Sequence, residues 1–327
     1  MPCFARVGWL AGTLLAGLLV AGCSRDGGAL VGTPLGPYTL RLTPKPAAPM
    51  PGEPTRLSFQ LTRTQDGAPV GDLQRVHERY LHTFIVARDF SSFAHIHHED
   101  FATLTDADRA AGRFQFDYRF PQAGVYRIVS EFTHRDRAWM KQFDFPVGHP
   151  GATPLVQIDP SPEQSVGDYR ARLAVSPAQP VAGQEAELVF DLSRSGQPVR
   201  DLQLLLGAET HVAIWKLDGT AFGHTHSYTP RMAAMMSRMA GHTMSAGHSA
   251  AMMLQMMSLP PELVYPGPRV PVRHTFQEAG DYVLFAQFAP GGQALHFRFM
   301  LRVAEAGPGG TQAMQSIVQP LLEPKGP

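Results

Sequence analysis

The chain has 327 residues, and its 28 Lys and Arg residues balance 28 Asp and Glu residues, so the formal net charge is zero. Only 17% of the residues are charged, which excludes the basic footprint of a nucleic-acid-binding protein. With 29 Pro, 31 Gly and 44% hydrophobic residues, the composition indicates a globular, β-rich protein rather than a disordered one.

Residues 1–22 have the organisation of a secretory signal peptide. Arg6 precedes an apolar run, Trp9 to Val20, that is too short to span a bilayer comfortably and leads into Val20-Ala21-Gly22-Cys23. This ending resembles the lipobox of bacterial lipoproteins, which implies that Cys23 carries the lipid and anchors the protein to a membrane. Ser24 stands where Asp would favour the inner membrane, so the resemblance implies the outer membrane, facing the periplasm.

The number of cysteines limits the kinds of metal site and catalytic site that the mature protein can have. The only other cysteine, Cys3, lies in the segment expected to be removed. Lipidation of Cys23 would therefore leave no thiol for a disulfide, a nucleophile or a cysteine-rich zinc site. Any metal ion must be held by His, Met, carboxylate or backbone groups.

An internal duplication organises the rest of the chain. "YTLRLTP" at Tyr38 corresponds to "YRARLAV" at Tyr169, and alternating strands are expected at Arg56 to Leu61 and Glu185 to Leu192. Each copy ends in Ala-Gly-x-Tyr, at Tyr126 and Tyr282, which resembles the corner of an immunoglobulin-like sandwich where the Tyr hydroxyl ties back to the preceding loop. We therefore expect an all-β protein of two tandem immunoglobulin-like β-sandwiches.

The expected boundaries follow from this alignment. They are a lipidated tether at 23–37, repeat 1 at 38–148, a Pro-rich linker at 149–168, repeat 2 at 169–304 with an insertion at 229–265, and a tail at 305–327. The linker is long enough to permit some independent movement of the repeats, and Leu155 to Ile158 could add an edge strand.

Each repeat carries three histidines in the same order and spacing. His82, His95 and His97 in repeat 1 match His211, His224 and His226 in repeat 2, about 130 residues later. Side chains two apart on a β-strand share a face, so both imidazoles of a His-x-His pair can reach one ion. Because imidazole is the commonest transition-metal ligand, the repeated trio predicts a metal site in each repeat.

Each trio is expected to straddle a β-hairpin. In repeat 1, Leu81 to Ala87 and Phe93 to His98 are the expected strands, joined by a turn at Arg88 to Ser92. Slipping the pairing by one residue would turn His82 to the opposite face, so the register stays open. The alternative is that His95 and His97 are solvent-facing residues that alternate with the core.

The insertion in repeat 2 is rich in methionine. Its residues recur at helical spacing, which predicts a helical hairpin with a thioether face, and thioethers with imidazoles suit Cu(I). Ordinary hydrophobic packing explains the pattern equally well. The candidate ligands are Met232, Met235, Met236, Met239, His242, Met244, His248, Met252, Met253, Met256 and Met257.

Weaker candidates occur outside these patterns. His77 and His134 are found only in repeat 1, and His134 is expected at the surface. Met140 aligns with His296, whereas Asp89 and Asp218 fit turn positions where Asp caps its own backbone. No catalytic motif of the common hydrolase, protease or nucleotide-binding types occurs, so an enzyme is not expected.

The stretch "LHTFIVARDFSSFAHIH" at Leu81 to His97 resembles bacterial secreted immunoglobulin-like proteins of the YtkA-like type, which accompany copper and heavy-metal handling systems. The resemblance covers most of repeat 1 and, more weakly, repeat 2, and implies a location and a metal context. The methionine-rich insertion resembles copper carriers of the CopC type, although their N-terminal His ligand is missing. An acylated Cys23 would also exclude a histidine-brace oxygenase.

These observations predict a lipid-anchored periplasmic copper carrier, buffer or metallochaperone. Cu(II) would bind the imidazoles and Cu(I) the methionine-rich segment, with zinc as an alternative ion. A copper-efflux or cuproenzyme-assembly protein would be its partner. The competing prediction is a cell-envelope module that binds another protein without metal.

Overall fold

The computed structural model describes residues 30–31, 36–151, 157–227 and 267–307. Over these ranges the protein is all-β, as predicted, and helix is limited to a 3-10 turn at His98–Asp100 and a helix, α1, at Asp106–Ala110. The expected signal peptide, Cys23 and the methionine-rich segment lie outside the described residues. Within the described ranges, no helix is long and apolar enough to cross a membrane.

The strands divide between the two repeats, each taken together with the short strand that extends its sheet from the preceding tether or linker. Those of repeat 1 are β1 (Leu30–Val31), β2 (Tyr38–Lys45), β3 (Pro54–Arg63), β4 (Leu81–Ala87), β5 (Phe93–Ile96), β6 (Arg113–Arg119), β7 (Gly124–His134) and β8 (Arg137–Val147). Those of repeat 2 are β9 (Glu163–Val166), β10 (Tyr169–Ser176), β11 (Glu185–Arg194), β12 (Gln197–Pro198), β13 (Leu202–Gln203), β14 (His211–Lys216), β15 (Phe222–His226), β16 (Arg269–Thr275), β17 (Gly280–Pro290) and β18 (Leu295–Val303).

The described strands form four antiparallel sheets, two in each repeat. In repeat 1 the strand orders are β1-β2-β3-β6 and β5-β4-β7-β8. In repeat 2 they are β12-β11-β10-β9, with β16 beside β11, and β13-β17-β14-β15, with β18 beside β17. Corresponding strands thus occupy corresponding places in the two halves of the chain.

Alternation of apolar and polar residues gives each sheet one core face. In β3, Leu57, Phe59 and Leu61 are buried in the core of repeat 1. The residues between them face outward, and Arg56 forms a salt bridge with Asp117 on the neighbouring strand. Burying one such Leu or Phe side chain contributes about 1.5–3 kcal/mol, so a one-residue slip of this strand would be strongly disfavoured.

A third apolar cluster lies between the two repeats. Strand β4 is buried along its whole length: Leu81, Ile85 and Ala87 belong to the core of repeat 1, whereas Phe84 and Val86 belong to the third cluster. The remaining members of this cluster are Phe90, Val129, Ala213, Trp215, Val283 and Phe285. The sheets that contain β4 and β14 therefore pack against each other, with their outer faces turned into an interface.

The predicted tyrosine ties are present in both repeats. The Tyr126 hydroxyl donates to the carbonyl oxygen of Gln122 at 3.0 Å, and the Tyr282 hydroxyl donates to that of Glu278 at 2.7 Å. Each tie fixes the loop that leads into the strand carrying it, β7 or β17. These two strands lie directly beside the histidine-bearing strands β4 and β14.

Leu155 and Val156 of the expected edge strand lie outside the described residues, and the linker strand that the structure does describe is β9, which pairs with β10. Two local expectations differ from the structure. Strand β5 ends at Ile96, because His98 begins the 3-10 turn. His134 is not at the surface: it is 5% exposed, and its Nε2 lies 3.0 Å from Asp72 Oδ1.

Candidate metal centre

Three histidines of repeat 1 converge on one point. We call His82, His95 and His97 the first histidine set. His82 Nδ1 lies 3.2 Å from His95 Nε2 and 3.0 Å from His97 Nε2, and the latter two nitrogens are 3.0 Å apart. The sequence predicted this group. The alternative, in which His95 and His97 face the solvent, is wrong for His97, because this residue is 1% exposed.

The hydrogen bonds of the outer ring nitrogens fix the tautomers. His82 Nε2 donates to the carbonyl oxygen of Val76 at 3.0 Å, and His95 Nδ1 donates to Gln287 Oε1 at 2.8 Å. His97 Nδ1 donates to Asp100 Oδ2 at 2.8 Å. A neutral imidazole carries one N–H, so the three converging nitrogens present lone pairs to one another.

Three facing lone pairs are the arrangement of a metal-ligand set. Without a cation, none of the three nitrogens has a proton to share with the others. In a tetrahedral complex with metal–nitrogen bonds of about 2.0 Å, ligand nitrogens stand about 3.3 Å apart, which is close to the separations found here. Hydrogen bonds from the outer ring nitrogens to carbonyl and carboxylate oxygens are typical of metal-bound histidine.

The second histidine set, His211, His224 and His226, is assembled differently. His211 Nδ1 lies 3.4 Å from His224 Nε2, and the outer nitrogens donate to the carbonyl oxygen of Leu205 at 2.7 Å and to Glu131 Oε2 at 2.9 Å. His226 Nε2 is buried without a hydrogen-bond partner. Its ring lies perpendicular to that of His211, with centroids 4.5 Å apart.

Histidines of repeat 1 complete the groups around the second set. His77 joins His211 and His226 in one group whose ligand atoms lie within 4.8 Å of one another, and His95 joins His211 and His224 in another. The ring of His77 stacks on that of His226, and its Nδ1 is also buried without a partner. Sequence reasoning undervalued His77, because Leu206 occupies the same place five residues before the first histidine of the repeat 2 set.

Two further residues that sequence reasoning missed orient the rings from the opposite repeat. Glu131 pairs with His82 across β4 and β7, and Gln287 pairs with His211 across β14 and β17, so the two positions are equivalent. Glu131 contacts His224, and Gln287 contacts His95. An alignment of the two repeats places Glu131 and Gln287 at equivalent positions, each beside the first histidine of its repeat, and this signal could have identified them.

Burial keeps these imidazoles neutral. It lowers the pKa of His82, His95, His211 and His226 well below the ordinary value of 6.5, and neighbouring histidines add to the effect. Burial also lowers the pKa of His97, although the hydrogen bond to Asp100 opposes this. Burial lowers the pKa of His77 to about 3. Neutral imidazole is the form that binds metal, so the site requires little deprotonation at neutral pH.

A cavity of about 250 Å³ borders His224 of the second set and is lined by residues of both repeats. Glu131, Met140, His224 and His274 contribute to its wall. Met140 pairs with Glu131, as His296 pairs with Gln287, so the expected alignment of Met140 with His296 is confirmed by strand register. Met140 is 39% exposed.

The remaining site predictions fall away from this cluster or outside the described residues. Asp89 and Asp218 accept hydrogen bonds from the backbone N–H groups of Ser91 and Thr220, which is the turn role predicted for them. The candidate ligands between Met232 and Met257, with His242 and His248, lie outside the described residues. So does Cys23.

Comparisons with known proteins add a family but no activity. A family model described as a domain of unknown function, DUF8832, matches residues 34–149 and again residues 164–305. The comparison with curated proteins gave no significant match.

Solved structures show distant likeness. An Escherichia coli alpha-2-macroglobulin is 13% identical with a TM-score of 0.23, covering 83% of this chain and 14% of that one. A beta-glycosidase from Bacteroides vulgatus is 8% identical with a TM-score of 0.20, covering 77% of this chain and 23% of that one. The chain thus spans less than a quarter of each of these proteins.

Proposed function

We propose that this chain binds a transition metal, with copper as the preferred ion. The chain belongs to the DUF8832 family, whose model matches both of its repeats. The observation that carries the proposal is the convergence of three imidazole lone pairs in the first histidine set, 3.0–3.2 Å apart. Imidazole ligands suit copper, and Cu(II) exceeds the other first-row divalent ions in affinity for a given nitrogen site. Zinc is the competing ion.

The cavity beside His224 supports a carrier, buffer or metallochaperone rather than a permanently closed metal site. Its wall includes Met140 and His274 beside His224, a metal-ligand candidate. Soft and intermediate donors at a mouth permit stepwise transfer of copper to a partner. We propose that this partner is a copper-efflux or cuproenzyme-assembly protein.

The cellular location, the immunoglobulin-like architecture and the helical insertion are proposed from separate observations. The Val-Ala-Gly-Cys ending favours a lipid anchor at Cys23 on the periplasmic side of the outer membrane. Both tyrosine ties and the order β5-β4-β7-β8 support immunoglobulin-like sandwiches, and thioether spacing supports a helical insertion at 229–265. Replacing Cys23 by Ala should abolish lipid labelling and leave the precursor uncleaved, whereas normal processing and detergent partitioning would contradict the anchor.

Metal analysis of protein purified without a histidine tag tests the function. The protein should retain two equivalents of Cu(II), one of which is lost when His95 and His97 are replaced by Ala, and the other when His224 and His226 are replaced. His149→Ala is the matched control, because His149 is exposed and lies outside both sets. A variant in which His95, His97, His224 and His226 are all replaced by Ala should bind no Cu(II) at these sites. If it still bound two equivalents with unchanged affinity, the metal-binding proposal would be refuted and a module that binds another protein without metal would be favoured.

A further inference from the structure

The two histidine sets lie side by side at the interface between the repeats. The ring of His95 is 5.4 Å from the rings of both His211 and His224, and the ring of His82 is 5.7 Å from that of His224, measured between centroids. These separations resemble those within the second set itself, where His211 and His224 are 5.6 Å apart. The rings therefore form one cluster rather than two separate sites.

Each set depends on the other repeat for its orientation. His95 of repeat 1 donates to Gln287 of repeat 2, and His224 of repeat 2 donates to Glu131 of repeat 1. Apolar packing fixes the spacing, because Phe84 stacks on His95 at 4.2 Å and also packs against Trp215. Separation of the repeats would therefore remove the orienting hydrogen bond of one histidine in each set.

Carboxylates near the cluster offset the charge of more than one cation. Glu131 contacts His224, and Asp100 contacts His97 while it also forms a salt bridge with Arg79. Glu99 lies two residues from His97 in the chain, and both oxygens of its carboxylate are buried without a hydrogen-bond partner. Cations in a buried site are costly unless such groups compensate them.

We propose that the two sets form one dinuclear copper centre that spans the interface. One ion is held by His82, His95 and His97, and the second by His77, His211 and His226, whose ligand atoms lie within 4.8 Å of one another. His224 shares a further group with His95 and His211, which links the two sets. The donors of His95, His211 and His224 lie within 4.8 Å of one another. With metal–nitrogen bonds of about 2.0 Å, ions on opposite sides of this group are within about 9 Å of each other. The proposal rests on the copper-binding function and specifies how its two ions are arranged.

Electron paramagnetic resonance of the protein during Cu(II) titration tests the arrangement, with total copper measured on the same samples. One equivalent should give the spectrum of an isolated ion with nitrogen hyperfine structure. Two equivalents should give dipolar broadening, a half-field transition, or an integrated intensity below the copper content. Two bound equivalents with full intensity and unbroadened lines would overturn the dinuclear centre while leaving the copper-binding function intact. Failure to retain copper would overturn both.

A variant without the second site provides the control. Replacing His211 and His226 by Ala should leave one equivalent with an unbroadened spectrum, and circular dichroism would show whether the strands persist. Glu131→Gln serves if that variant does not fold, because the amide can still accept the hydrogen bond of His224. This variant should retain the coupled spectrum with altered hyperfine structure, and an unchanged spectrum would place Glu131 outside the centre.

Discussion

The ring of His77 stacks on that of His226 from the other repeat, with centroids 3.5 Å apart and planes inclined by 30°. His77 lies in the loop whose Val76 carbonyl also accepts the hydrogen bond of His82. One short loop of repeat 1 therefore orients a histidine of the first set and contacts a histidine of the second.

Replacing His77 by Leu, the residue found at the equivalent position 206, should selectively weaken the second copper equivalent. Because the substitution removes a ligand or an orienting ring, we expect a loss of about 10-fold to 100-fold in affinity. Competition with a Cu(II) chelator measures both equivalents, and His149→Leu is the control. Equal weakening of both equivalents would contradict a role at the second site.

Glu131→Gln should lower copper affinity at the second set by about 10-fold without unfolding the protein. The carboxylate places a negative charge beside the ring of His224, whereas an amide accepts the same hydrogen bond without a charge. Affinity titration and a thermal melt measure the two effects, with the exposed Glu53→Gln as a control. A variant with normal affinity would show that the hydrogen bond alone matters.

The metal-free protein should lose stability as the pH falls below about 6.5. Burial holds the pKa values of His82, His95, His211 and His226 well below 6.5, so the unfolded chain takes up protons that the folded chain does not. Each such histidine costs about 1.4 kcal/mol per pH unit below the unfolded pKa. Thermal melts from pH 8 to pH 5 should show a falling Tm, and a constant Tm would argue against neutral, buried imidazoles.

Phe84→Ala should destabilise the protein by about 3–5 kcal/mol, because it opens a cavity in the apolar cluster between the repeats. Phe84 is fully buried and stacks on His95, so copper affinity should also fall. Urea unfolding gives the free energy, and Met50→Ala, at a 44% exposed position, is the control. A loss no larger than the control's would mean that the repeats separate easily.

Replacing the nine methionines between Met232 and Met257 by Leu should weaken Cu(I) binding while sparing Cu(II) at the imidazoles. Leu keeps the apolar volume, so stability should change little. Competition with a Cu(I) chelator, run beside thermal melts, separates ligation from packing. Unchanged Cu(I) affinity would identify the segment as packing, and loss of folding on deletion of 232–257 would place it in the core.

Local periodicity predicted much of the structure. The bounds of β4 follow from its run of β-branched and aromatic residues, and the convergence of the first histidine set follows from the His-x-His spacing. The packing of the two repeats against each other was not predicted, because alternation shows which face of a strand is buried but not which element covers that face. The continuous apolar runs at Phe84 to Ala87 and Val212 to Trp215 do carry a signal, since a strand covered on both faces loses its polar alternation. His77, Glu131 and Gln287 depend on that docking, so they escaped prediction with it.

The crossed contacts of Glu131 with His224 and of Gln287 with His95 have the form of an isologous interface, in which one patch meets its own copy across a two-fold axis. A single repeat that dimerised would make the same pair of contacts, with identical residues on both sides. Joining the two copies in one chain removes that constraint of identity, because each side can then change alone. The two halves differ at three equivalent positions: Glu131 corresponds to Gln287, His77 to Leu206 and Met140 to His296. All three border the histidine cluster, so fusion would let the two proposed metal sites acquire separate properties.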